Sequence, residues 1–150
     1  MSRTRLAIVA LASSLVAAPA HLAGTSHLGS TAISWEEIEA RPSPNGRSRS
    51  ILRAPTATLD ELESHVTVLP PGQTSHPPHR HPEEEILILR EGTLLVNMNG
   101  ENRRVGPGAF VFLASQEEHN VRNVGETPAV YYIVQWRSPG TPKAADQDRP

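Results

Sequence analysis

From residue 50 onward, short apolar runs recur along the chain, separated by turn signals. The runs cover 50–54, 62–69, 85–90, 93–98, 103–105, 109–114, 120–124 and 129–136. Between them lie Pro70-Pro71-Gly72, Glu91-Gly92, Asn99-Gly100, Gly106-Pro107-Gly108 and Gly125-Glu126-Thr127-Pro128. Asn99-Gly100 between two strand-like runs is a strong hairpin signal, because a type I′ turn needs positive φ at both central residues. No 3.6-residue period appears, so a helical bundle is excluded. Eight short strands at this spacing predict an all-β domain over 50–137, either an antiparallel sandwich or a small barrel.

The remaining segments read differently. Residues 1–20 have the pattern of a secretory signal peptide. Arg3 and Arg5 supply a positive start, 6–18 is apolar and small except for Ser13 and Ser14, and Ala18-Pro19-Ala20 resembles a cleavage site. The competing reading is a buried N-terminal helix. Export to the periplasm or the medium is the expectation, with no membrane association after cleavage. The two arginines are not adjacent, so a twin-arginine signal is not supported, and the lack of cysteine excludes a lipoprotein. Residues 21–49 are rich in Gly, Ser, Pro and Arg and read as a linker or N-terminal arm. Within them Ser34 is placed to cap one helical turn, and Trp35 and Ile38 are expected to pack on the domain or on a second subunit. Residues 138–150 read as a disordered tail.

Composition narrows the function. A chain of 150 residues makes one domain the default. Two Phe, two Tyr and two Trp leave the core to Val, Ile, Leu and Ala. A net charge of −2 without a basic stripe argues against nucleic acid as a partner. With no cysteine there is no disulfide framework, thiolate nucleophile or zinc ribbon.

The chemistry concentrates in 72–92, which holds His76, His79, His81 and the run Glu83-Glu84-Glu85. Imidazole nitrogens and carboxylate oxygens are the donors a divalent transition metal takes. Residues two apart on a strand share a face, so His79 and His81 point together, and parity admits both Glu83 and Glu85. His119 opens a later strand, with Asn123 on the same face, and barrel closure would bring it opposite.

These residues resemble the two motifs of the cupin superfamily. Gly72, His79, His81, Glu85 and Gly92 follow the first motif, with the first gap one residue longer than usual. Gly108, His119 and Asn123 keep the spacing of the second, but Ala114 stands where proline is usual and Gln116 where glycine is usual. The resemblance covers about 64–136 and selects Glu85 among the glutamates. It implies a double-stranded β-helix, a small jelly-roll barrel. It also implies His79, His81, Glu85 and His119 as ligands of one divalent transition metal per chain: Fe, Mn, Ni, Cu or Zn. Three imidazoles and a carboxylate would leave one or two coordination positions for a small-molecule substrate. A homodimer is implied as well.

The expected function is that of a metal-dependent enzyme, with dioxygenase-like oxidoreductase chemistry favoured. The alternatives are a cupin isomerase, decarboxylase or lyase, and a non-catalytic module binding a small molecule or sugar. Tyr131 and Gln116 are the pocket candidates. Of Tyr131 and Tyr132, one should point inward. Tyr132, Glu117 and Glu118 are weaker candidates for a base, and Gln135 is a weaker pocket candidate. His76 is expected at the pocket rim and His65 in a structural role. Glu83 and Glu84 are expected to be solvated, unless one of them orients a histidine.

Overall fold

A computed structural model describes residues 27–143. The signal-peptide segment and residues 144–150 of the tail lie outside the described residues. Among the described residues a single 3-10 turn, Trp35–Glu37, precedes nine strands. These are β1 (Arg41–Ser43), β2 (Gly46–Ala54), β3 (Glu61–Leu69), β4 (Glu84–Glu91), β5 (Leu94–Met98), β6 (Glu101–Val105), β7 (Phe110–Leu113), β8 (His119–Asn123) and β9 (Ala129–Arg137). They form a six-stranded sheet in the order β1-β2-β3-β9-β4-β7 and a three-stranded sheet in the order β6-β5-β8. The architecture is all-β, as expected from the strand pattern, and is the jelly roll that the cupin resemblance implies.

Both sheets contribute to one core. Leu69, Leu87, Leu89, Val111, Leu113, Ala129, Tyr131 and Ile133 come from the larger sheet, and Leu94, Val96 and Val121 from the smaller. The inward positions are two apart on each strand, as a pleated sheet requires. On β9 this turns Tyr131 inward, where it is buried, and leaves Tyr132 on the outer face beside Val66 and Ile88.

The β5–β6 hairpin closes at Asn99-Gly100, both in the positive-φ region at 50° and 87°. Gly92 has φ 89°, and a Cβ there would lie 2.6 Å from the Cα of Ala129, so a side chain is excluded on both counts.

The domain starts earlier than its apolar pattern. The strand expected from residue 50 begins at Gly46 and pairs with β1, so 41–49, expected as linker or arm, belongs to the sheet. The preceding turn is held by the Glu37 carboxylate, which accepts from the Ser34 N–H at 2.6 Å. Ile38 is buried, and the Arg49 guanidinium lies 4.5 Å from the centre of the Trp35 ring.

Residues 70–79 contain no strand, yet they lie antiparallel along β8. The Gly72 N–H donates to the Asn123 carbonyl (3.0 Å), the Asn123 N–H to Gln73 (2.9 Å) and the Ser75 N–H to Val121 (2.9 Å). Isolated bridges pair Thr74 with Arg122 and His79 with His119. Pro77 and Pro78 have no N–H, so the pairing is interrupted before it resumes at His79. This docked segment carries the first histidine to its place.

Candidate metal centre

Three of the four expected metal ligands converge most closely. His79 and His119 face each other across the bridge and exchange both backbone hydrogen bonds, at 3.2 and 3.0 Å. His81 is anchored from the other side, because its carbonyl accepts from the Gln116 N–H at 2.8 Å. One ring nitrogen from each of His79, His81 and His119 lies within 4.8 Å of the others.

The second nitrogen of each ring is occupied in the same way. Nδ1 of His79 donates to the Pro77 carbonyl (3.2 Å), Nδ1 of His81 to the Glu83 carbonyl (3.1 Å) and Nδ1 of His119 to the Glu117 carbonyl (2.9 Å). A carbonyl can only accept, so each ring is set with a proton on Nδ1 and turns its Nε2 toward the shared centre. Metal-ligating histidines are oriented by such outer partners. Burial, reinforced by the His81 and His79 rings, lowers the pKa of His119 despite the opposing pull of the Glu117 carbonyl and of Glu85. A neutral imidazole is the ligating form.

Glu85, the fourth expected ligand, borders the same cavity. Its Oε2 lies 3.5 Å from Nε2 of His81. Hydrogen bonding to Glu85 is the main cause raising the pKa of His81, against the cost of burial. Three imidazole nitrogens and one carboxylate form a mixed N/O donor set. Such a set fits Fe, Mn, Ni, Cu or Zn better than the all-oxygen shells of calcium and magnesium.

Glu83 corrects the expectation of a solvated charge. It is buried, its Oε2 lies 3.3 Å from Nδ1 of His81, and its Oε1 accepts from Nε of Arg137 at the end of β9. Burial alone would raise its pKa, but its own backbone N–H, Arg137 and His81 together hold it below the usual carboxylate range. It therefore keeps its charge and braces His81.

The cavity beside the imidazoles measures about 210 Å³. That is below the roughly 300–1,000 Å³ of sites for drug-sized ligands, so the occupant is small. Opposite the imidazoles stand His65, Thr67, Tyr131 and Gln135 on β3 and β9, with Ser75 and His76 on the docked segment. Among the described residues, no Arg or Lys lines this space. Tyr131 is held neutral: burial pushes its pKa up to about 12, although hydrogen bonds with Thr67 and Ser75 oppose the rise. A neighbouring hollow of about 410 Å³ under the β1–β2 hairpin shares His65, Thr67, Ser75 and His76 with the cavity.

Of the two pocket candidates, Tyr131 lines the cavity and Gln116 does not. Gln116 acts through its backbone instead, bonding His81 and accepting from Arg80 Nη1 at 3.1 Å. Its φ of 63° shows why glycine is usual at this position of the resembling motif. Glu118 pairs with Arg80 at 3.7 Å, and neither Glu117 nor Glu118 reaches the cavity. His76 is exposed at the rim, its ring centre 4.8 Å from the His79 ring centre and nearly perpendicular to it. His65, expected in a structural role, lines the cavity. The signal available for it was parity: Glu63, His65, Thr67 and Leu69 share one face of β3.

The cupin domain family model matches residues 65–135. Solved structures with the same fold include an RmlC-like cupin from Shewanella frigidimarina, with 14% identity, 75% of this chain and 95% of that chain covered, and a TM-score of 0.61. KdgF from Halomonas sp. matches at 18% identity over 74% of this chain and 97% of that one, with a TM-score of 0.61. A predicted oxalate decarboxylase from Thermotoga maritima matches at 21% identity over 71% and 99%, with a TM-score of 0.57. At these identities the likeness establishes the fold, and the family match identifies residues 65–135 as a cupin domain.

Proposed function

We propose that this cupin is a metal-dependent enzyme acting on a small, polar, oxygen-bearing molecule. The observation that carries the proposal is the set of three imidazoles. Each is fixed by Nδ1 on a backbone carbonyl, and together they present converging Nε2 atoms beside Glu85. His79, His81, His119 and Glu85 would hold a divalent transition metal, which would supply Lewis-acid polarisation of a substrate oxygen. The chain's own residues do the rest. Thr67, Ser75, Gln135 and Tyr131 offer hydroxyl and amide groups to a polar ligand from the opposite wall. With no Arg or Lys among the described lining residues, a highly charged anion is a poor occupant.

Among the reaction classes expected from the sequence, this polar cavity favours proton-transfer chemistry: isomerisation, decarboxylation or lyase elimination. Dioxygenase chemistry gains more from a dry apolar pocket, which protects reactive species from stray protons. Export, which the pattern of 1–20 supports, and a homodimer belong to the same proposal. Ile88, Phe110 and Phe112, exposed on the outer face of β4 and β7, are the apolar surface such a dimer would cover.

The test is elemental analysis of natively purified protein, paired with oxygen-electrode and deuterium-incorporation screens against small hydroxy and keto acids. The expected result is about one transition metal per chain, deuterium incorporation and no oxygen uptake. His119→Ala should weaken metal binding by more than about 100-fold, beyond the cost of losing an outer partner. Substrate-coupled oxygen consumption would restore the dioxygenase branch. Full activity in metal-stripped protein would end the proposal.

A further inference from the structure

We propose that His65, held by Glu63, is the catalytic base of the cavity, taking a proton from the bound ligand and returning it. The inference rests on the metal-centre reading and adds the group that moves the proton.

Glu63 and His65 are two residues apart on β3 and so face the same way, into the barrel. Nδ1 of His65 donates to Glu63 Oε1 at 2.9 Å, with Oε2 at 3.3 Å. Glu63 is buried and does not line the cavity, whereas the His65 ring does. The carboxylate thus stands behind the imidazole. It fixes the proton on Nδ1 and leaves Nε2, which has no partner among the described residues, open to the cavity. A carboxylate behind a histidine sets its tautomer and holds the imidazolium once formed.

The other groups facing the cavity have other duties. Nε2 atoms of His79, His81 and His119 point at the shared centre, and Glu85 lies against His81. Tyr131 is a poor base because its anion is strongly disfavoured by burial. His76 is exposed at the rim, with its Nδ1 3.4 Å from Ser75 Oγ. Gln135 does not titrate. It is paired in register with Glu63 on one side and Glu85 on the other, and so separates the two carboxylates. His65 is the basic side chain left to serve the ligand.

The step is simple. A ligand O–H, or a C–H beside a carbonyl, breaks and leaves its electron pair on the ligand. The proton moves to Nε2 of His65, and Glu63 remains a carboxylate against the new imidazolium. Return of the proton to a different ligand atom completes an isomerisation.

The probe is acetohydroxamic acid, which loses its hydroxyl proton on chelating a metal. Cobalt(II)-loaded protein is titrated with it by calorimetry near about pH 8, where a free imidazole is neutral, in buffers of different ionisation enthalpy. Wild type should release close to one proton fewer than His65→Gln, while both give the same cobalt absorption spectrum. Glu63→Gln should fall between them. Equal proton release by all three overturns the inference and leaves the metal centre standing. Failure of wild type to bind cobalt removes the metal reading and this inference with it. In metal-free protein, nitrogen-15 shifts should place the His65 proton on Nδ1 in wild type and lose that preference in Glu63→Gln. An unchanged tautomer overturns the positioning role of Glu63.

Discussion

The inner surface of β3, β9 and β4 is apolar at one end of the barrel and polar at the other. At the closed end Leu69 faces Ala129 and Leu89 faces Tyr131, and Leu94 and Val96 of the smaller sheet pack over them. At the open end a single register row holds Glu63, Gln135 and Glu85, with His65 one step inward. The same three strands build both ends with the same alternation. The closed end is dense and supplies stability. At the open end polar side chains border a cavity, and ionisable groups survive there because each has a partner. Glu63 has His65, Glu83 has Arg137 and His81, and Glu85 has His81. The core cluster can therefore be read as the support that lets the polar row stay open.

Three changes would break or sharpen this division. The largest effect should come from Leu94→Ala, which empties part of the closed end where Leu94 is fully buried. It should cost about 2–5 kcal/mol of unfolding free energy in urea. Metal affinity of the folded fraction should be unchanged, and a matching loss of affinity would mean that the two ends are one cooperative unit.

Asn123→Ala should cost less, about 1–3 kcal/mol, as expected for orphaned buried polar groups. Its Nδ2 donates to the Leu69 and Thr127 carbonyls, both at 2.8 Å, and its Oδ1 accepts from Gly125 N–H at 2.9 Å. It sits at the closed end although it shares a strand with His119, so metal binding should persist in this variant too.

Tyr131→Phe should have the smallest effect, and it tests the seam, because Tyr131 belongs to the core cluster and also lines the cavity. Its pKa in the folded protein, about 12, lies above the value of about 10 expected in the unfolded chain. The stability it contributes is complete below about pH 10 and is lost as pH rises through the folded pKa. Urea titrations across that range should show the alkaline loss in wild type and a weaker one in the variant. Identical slopes would place the phenol in water rather than in the barrel.

Much of the fold was legible because it depends on local chemistry. Asn99-Gly100 demanded positive φ, the apolar runs marked the inward faces, and His79, His81 and His119 stood at readable spacings. The hairpin β1–β2 was not legible. Its strands, Arg-Pro-Ser and Gly-Arg-Ser-Arg at the outset, carry no apolar pattern, and it exists because its backbone pairs with β3 at the sheet edge. Glu83 was misjudged for a related reason. A run of glutamates reads as solvated until Arg137, more than fifty residues later, is brought beside it by the β4–β9 pairing.

The sequence by itself determined the strands from β3 to β9, their alternating pattern and the spacing of His79, His81 and His119, since each follows from residue type and spacing along one stretch of chain. Tertiary structure alone decided that 70–79 docks against β8, that the backbone of Gln116 rather than its side chain serves the site, and that Glu63 stands behind His65. These depend on hydrogen bonds and burial between residues distant in sequence, or on which side of a strand becomes a cavity, and neither is encoded in local spacing.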